Sequence, residues 1–197
     1  MRAWVGVVGC LWSAAALAHT AEHPKLLTVR AGCTTLQVVV FYSLQAGDDS
    51  MEARQRFDAD GDGALSDDER DRLRASLVDV ALFTLRLEVD HESVALPAGN
   101  AVLLGGDDTT DSGAELGITL TLRLPAPWSD GAPHRVGLRD HHKDPKFDVP
   151  VKVIADPRLA WGAPVADLRE LAATGYPLKR GESLDLFVAP GACDKAR

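Results

Sequence analysis

The chain has 197 residues, enough for one domain that buries its own apolar core. Hydrophobic residues make up 46% and charged residues 25%, which excludes wholesale disorder and a multi-span membrane protein. The formal net charge is -8 and no Lys/Arg-rich run occurs, which excludes a general nucleic-acid binder and leaves cation binding open.

Residues 1–18 read as a secretory signal peptide. Arg2 precedes an uncharged stretch from Ala3 to Ala18 that ends in the small residues Ala16 and Ala18. Sixteen uncharged residues are short for a span of about 20. Cleavage after Ala18 is expected, leaving His19 at the mature N-terminus and no stable membrane span. The mature chain, 19–197, then has 20 basic against 29 acidic side chains and is expected to form a single domain, periplasmic or secreted. Cys10 leaves with the leader. Cys33 and Cys193 remain, and in an oxidising compartment they are expected to pair, the alternative being two free thiols.

Along the mature chain, residues 26–30 and 34–44 are strand candidates, the second rich in β-branched and aromatic side chains. Asp49 or Ser50 is positioned to cap a short helix through Phe57. Leu73, Leu77 and Val80/Ala81 recur at helical spacing and predict a second helix over about 66–82. The period then changes. Leu85, Leu87 and Val89 alternate with polar residues, Asp90-His91 makes a turn, and Val94–Leu96 completes a hairpin. A strand is expected at 102–104, then a polar loop over 105–113. Ile118, Leu120, Leu122 and Leu124 mark the clearest half-buried strand, with Pro125 and Pro127 ending it. Further strands are expected at 134–139, 147–154 and 184–188, with a short helix at 165–172. Seven or eight strands with turns between them predict an α+β fold, mainly an antiparallel β-sandwich or barrel with a helix-loop-helix inserted at about 50–82.

The acidic excess concentrates at Asp58-Ala59-Asp60-Gly61-Asp62-Gly63-Ala64-Leu65-Ser66-Asp67-Asp68-Glu69. Calcium is a hard ion that takes six to eight oxygens at about 2.3–2.6 Å. Asp58, Asp60 and Asp62, spaced by two, converge on one ion if the chain turns tightly at Gly63. Ala64 would contribute its carbonyl, Ser66 its hydroxyl directly or through water, and Glu69 a bidentate carboxylate. Leu65 is the apolar anchor and Phe57 the apolar residue before the loop. A solvated acidic turn at a helix N-terminus would account for Asp67, Asp68 and Glu69, but not for three aspartates at spacing two followed by glycine. Mg²⁺ and lanthanides are alternative ions for the same oxygens.

This twelve-residue frame resembles the calcium loop of the EF-hand family, with every diagnostic position filled. The resemblance implies a helix-loop-helix around one bound Ca²⁺. No second loop follows, since residues 107–111 lack the spacing, the glycine and the closing glutamate. A wider and weaker resemblance over residues 19–155 is to exported bacterial domains associated with nickel and cobalt transport or hydrogenase accessory proteins. It implies an exported setting; an envelope protein partner is expected only where the calcium loop serves as a docking surface.

Six histidines are present: His19, His23, His91, His134, His141 and His142. A second, transition-metal site would draw on the mature terminus at His19 with His23, His141 and His142, since imidazole suits Ni, Cu and Zn. Taken singly, His91 reads as a solvated turn residue and His134 as a strand cap. No hydrolase elbow, phosphate loop or zinc-protease motif occurs, and the expectation is a non-enzyme. The leading expectation is therefore an exported calcium-binding protein with a structural or docking role. The alternative is a periplasmic Ni/Cu/Zn chaperone or sensor serving a metal-uptake system.

Overall fold

The computed structural model describes residues 25–96, 99–107, 109–141, 148–163 and 168–193. The expected signal peptide, His19, His23 and His142 lie outside the described residues.

In chain order the elements are β1 (Lys25–Ala31), β2 (Thr35–Leu44), α1 (Asp48–Phe57), α2 (Asp67–Phe83), β3 (Leu85–Val89), β4 (Glu92–Val94), β5 (Asn100–Leu104) and β6 (Leu116–Pro125). A 3-10 turn over Pro127–Asp130 leads into β7 (His134–Asp140), β8 (Val149–Ala155), β9 (Ala160–Gly162), α3 (Leu168–Ala173), β10 (Tyr176–Leu178) and β11 (Ser183–Ala189). The fold is β-rich α+β, with a six-stranded sheet in the order β10-β8-β1-β2-β6-β5 and a five-stranded sheet in the order β4-β3-β7-β11-β9. No described helix is long and apolar enough to cross a membrane.

The alternation read from the sequence fixes which face is buried. In β2 the side chains of Leu36, Val38, Val40 and Tyr42 turn inward, and in β6 those of Leu116, Ile118, Leu120 and Leu122. The antiparallel register between them, Val38 opposite Leu122 and Val40 opposite Leu120, places these residues side by side on one face. Leu85, Leu87, Val136, Leu138, Leu184 and Leu186 do the same for the second sheet, and both sheets feed one continuous buried cluster. At about 25 cal/mol per Å² of apolar surface, that shared core is the main term holding the sheets together.

Several features depart from the sequence expectation. Pairing is mainly antiparallel as expected, but one pair unforeseen in the local pattern is parallel, β1 with β8, with Leu27 opposite Val151. That pairing joins segments more than a hundred residues apart, and local patterning carries no trace of it. Strands β9 and β10 were not expected. Each has three residues, too few to show a period, and β10 contains Pro177. Helix α1 also starts earlier. Its N-cap is Gly47, at φ +136°, where a side chain would be strained, and Asp49 and Ser50 lie inside the first turn. The Ser50 hydroxyl donates to the Gly47 carbonyl at 2.9 Å and so does not act as the cap.

The hairpin between β3 and β4 turns through two residues, Asp90 and His91, both at positive φ, as a tight hairpin of primed type requires. Asp90 then meets His134 at the start of β7, with Nδ1 2.6 Å from Asp90 Oδ2 and Nε2 3.0 Å from Asp130 Oδ1. The hydrogen bond to Asp130, followed by that to Asp90, raises the His134 pKa above its ordinary 6.5. Trp128 is buried and donates its indole N–H to Gly32 at 3.0 Å, so it is a core anchor.

Cys33, in the β1–β2 turn, is bonded to Cys193, just past β11, across a sequence separation of 160. The bridge ties one sheet to the other near both ends of the described chain. For a closed loop of that length, the chain-entropy estimate of its stabilisation is about 5 kcal/mol, an upper figure. Replacing both cysteines by alanine is expected to lower unfolding free energy by about 2–5 kcal/mol in urea titrations, with the folded circular-dichroism spectrum retained. A loss below about 0.5 kcal/mol would show that the bridge constrains little.

Candidate metal site

The candidate site lies in the loop between α1 and α2, on the segment between β2 and β3. Helix α2 buries Leu73, Leu77 and Ala81, one residue per turn, against β2, β3, β5 and β6. Glu69 stands four residues before Leu73 on that same stripe and is only 4% exposed. Helical periodicity thus aims the Glu69 side chain inward, toward the loop. Leu65, 4% exposed, sits in the shared core and pins the loop from below, and Phe57 packs against the same cluster. Leu65 follows the sequence expectation of an apolar anchor.

Glu69 is the hub. Its Oε1 accepts the Ala59 N–H at 2.7 Å, and its Oε2 accepts the Ser66 N–H and the Ser66 hydroxyl, each at 2.8 Å. One carboxylate therefore joins the start of the loop to the N-terminus of α2, where negative charge also meets the helix dipole favourably. The remaining carboxylates are held by the loop's own backbone. Asp58 accepts from Gly61 N at 2.9 Å and Gly63 N at 3.1 Å, Asp60 from Asp62 N at 3.2 Å, and Asp62 from Ala64 N at 2.9 Å. Gly63 carries φ +85°, the left-handed geometry that lets its N–H turn back onto Asp58.

Asp58, Asp60 and Glu69 come together, each offering a carboxylate oxygen within 4.8 Å of the others. Asp62 is not in that group and stays turned onto Ala64 N. The Ser66 hydroxyl points at Glu69. Glu69 Oε1, Asp58 Oδ1 and Asp60 Oδ1 each accept one N–H and keep a lone pair, whereas Glu69 Oε2 and Asp58 Oδ2 each accept two donors, one of them a hydroxyl that can turn away. Of the histidines, His141 is exposed just after β7, with its backbone N–H bonded to Thr84 O, and is the one member of the second candidate site that is described.

One neighbour of the loop escaped the sequence reading. Thr110, from the connection between β5 and β6, donates its hydroxyl to Asp58 Oδ2 at 3.2 Å and its N–H to the Gly63 carbonyl at 3.0 Å. It lies about fifty residues away in sequence, in a stretch with no ligand spacing, and no local signal points to it. The cluster of Asp90, Asp130 and His134 was likewise unforeseen, since only the fold brings those three together.

No family model matches the chain, and neither a curated protein nor a solved structure matches it.

The donors around Glu69, first the Ser66 N–H, then the Ala59 N–H and the Ser66 hydroxyl, push its pKa down from 4.5 to about 2. A depressed folded value means that the carboxylate stabilises the protein fully above the unfolded value near 4.5. That contribution is lost as pH falls toward 2. In chelator-containing buffer, the urea midpoint of the protein is expected to fall across that window more steeply than that of Glu69→Gln. Equal pH slopes for the two proteins would contradict the arrangement.

Proposed function

We propose that this protein binds one calcium ion in residues 58–69, and that the ion clamps α1 and α2 to the β-rich body. The ligands assigned are the carboxylates of Asp58, Asp60, Asp62 and Glu69, the carbonyl of Ala64 and the hydroxyl of Ser66. With Glu69 bidentate, this set reaches the six to eight hard oxygens that Ca²⁺ takes. The observation that carries the reading is the convergence of Asp58, Asp60 and Glu69 around a loop bent at Gly63. Carboxylates this close repel one another, and a divalent cation turns that repulsion into attraction. Asp62 would join by leaving Ala64 N. In this reading the segment is a single EF-hand-like unit inserted in a β-sandwich, and its role is structural, with docking of an envelope partner as a second use of the clamped face.

The setting we assign is outside the cytoplasm, after removal of residues 1–18. The Cys33–Cys193 bond supports an oxidising compartment. Extracellular calcium modules typically bind at about 10⁻⁴–10⁻³ M, which suits a clamp filled by ambient calcium. The transition-metal reading has only the exposed His141 among the described residues and stands second.

Calorimetric titration of the purified protein with CaCl₂ is expected to give one site, and Glu69→Ala to weaken it by more than about tenfold. A calcium concentration 100 times the dissociation constant should add about 2.7 kcal/mol to unfolding stability. No heat and no thermal shift at millimolar calcium, or binding unchanged in Glu69→Ala, would overturn the reading.

A further inference from the structure

The loop over residues 58–69 does not stand alone. Resting on the calcium reading above, we infer that Thr110 is a positioning residue for the metal site and that the β5–β6 connection forms part of that site's wall. Thr110 is 6% exposed, so its hydroxyl is held in the contact with Asp58 and is not free to turn into solvent. Its hydroxyl and the Gly63 N–H both reach Asp58 Oδ2, while Gly61 N–H reaches Oδ1. Three donors on two oxygens fix the plane of this carboxylate. A ligand fixed before the ion arrives loses less rotamer freedom when the ion binds. The second contact, Thr110 N–H to Gly63 O, holds the bend on which the convergence of the ligands depends.

The connection is itself held firmly. Arg54 of α1 is fully buried, and its guanidinium donates to the carbonyls of Gly105, Ser112, Ala114 and Glu115 at 2.8–3.3 Å. Gly47, at the start of the same helix, donates its N–H to Gly113 O at 2.8 Å. Thr110 is therefore carried on a segment bolted to the helix that leads into the loop. Asp58 ends α1, Thr110 contacts Asp58, and Arg54 returns the connection to α1. This circuit supplies from outside the loop the rigidity that a single loop lacks. By linkage, a contact that strengthens metal binding must itself be strengthened by the metal.

The test compares calcium titrations of the wild-type protein, Thr110→Val and Thr110→Ser, with Thr110 amide hydrogen exchange measured in the wild type with and without CaCl₂. Thr110→Val keeps the shape and removes the hydroxyl, and is expected to bind calcium about tenfold more weakly. Thr110→Ser, which keeps the hydroxyl, should restore affinity to within about threefold of wild type, a rescue that lost packing would not give. The Thr110 amide should exchange at least about fivefold more slowly with calcium bound. Calcium binding by the wild type with equal affinity in Thr110→Val, or with Thr110 exchange unchanged by calcium, overturns this inference and leaves the calcium reading standing. Absence of calcium binding by the wild type overturns both. The exchange measurement needs no variant, so a poorly folding Thr110→Val does not leave the matter open.

Discussion

The structure around the acidic loop depends on one carboxylate in one place. Glu69 must sit on the buried stripe of α2 and still reach both ends of the loop. Its position follows from the spacing of Leu73, Leu77 and Ala81, which sets the helix rotation against the sheets. Its charge is tolerated there because three donors from Ala59 and Ser66 receive it. Removing those donors would leave the buried carboxylate to the Arg72 guanidinium, 3.8 Å away. Removing the carboxylate would release the Ala59 and Ser66 donors that it holds, with Leu65 and Thr110 still anchoring the loop. The docking of α2 through Leu73, Leu77 and Ala81 thus places the side chain on which the loop geometry depends.

The rest of the molecule keeps that arrangement rigid. Leu65 anchors the loop in the shared core, while Arg54 gathers the carbonyls of the β5–β6 connection against α1. Farther off, the buried contact of Lys25 with Thr84 and Asp140 joins the two sheets near the point where α2 passes into β3, and the Cys33–Cys193 bridge joins them beyond the other end of β1. Burial acts first on Lys25, lowering its pKa, and the Asp140 carboxylate opposes that shift. The site sits at the edge of a body held at several points.

Much of this was legible in the sequence wherever a residue's role is set by its near neighbours. The alternation in β2, β3 and β6 and the helical stripe of α2 emerge where expected because burial on one face imposes a period of two or of 3.6. The acidic loop was legible because its carboxylates lie within twelve residues. What escaped was set by contacts distant along the chain or by elements too short to carry a pattern. The parallel pairing of β1 with β8, the three-residue strands β9 and β10, and the approach of Thr110 to Asp58 are of this kind. The cap of α1 escaped for another reason. Asp49 and Ser50 are good capping types, but Gly47 offers a backbone turn they cannot adopt without strain.

Where an ion sits is tested most directly by a crystal structure of the protein grown with calcium and read by anomalous scattering. One peak is expected between Asp58, Asp60 and Glu69, with oxygens of those residues and of Asp62, Ala64 and Ser66 at about 2.3–2.6 Å, directly or through one water. A calcium-saturated crystal with no peak in residues 58–69, or with its ion elsewhere, would contradict it.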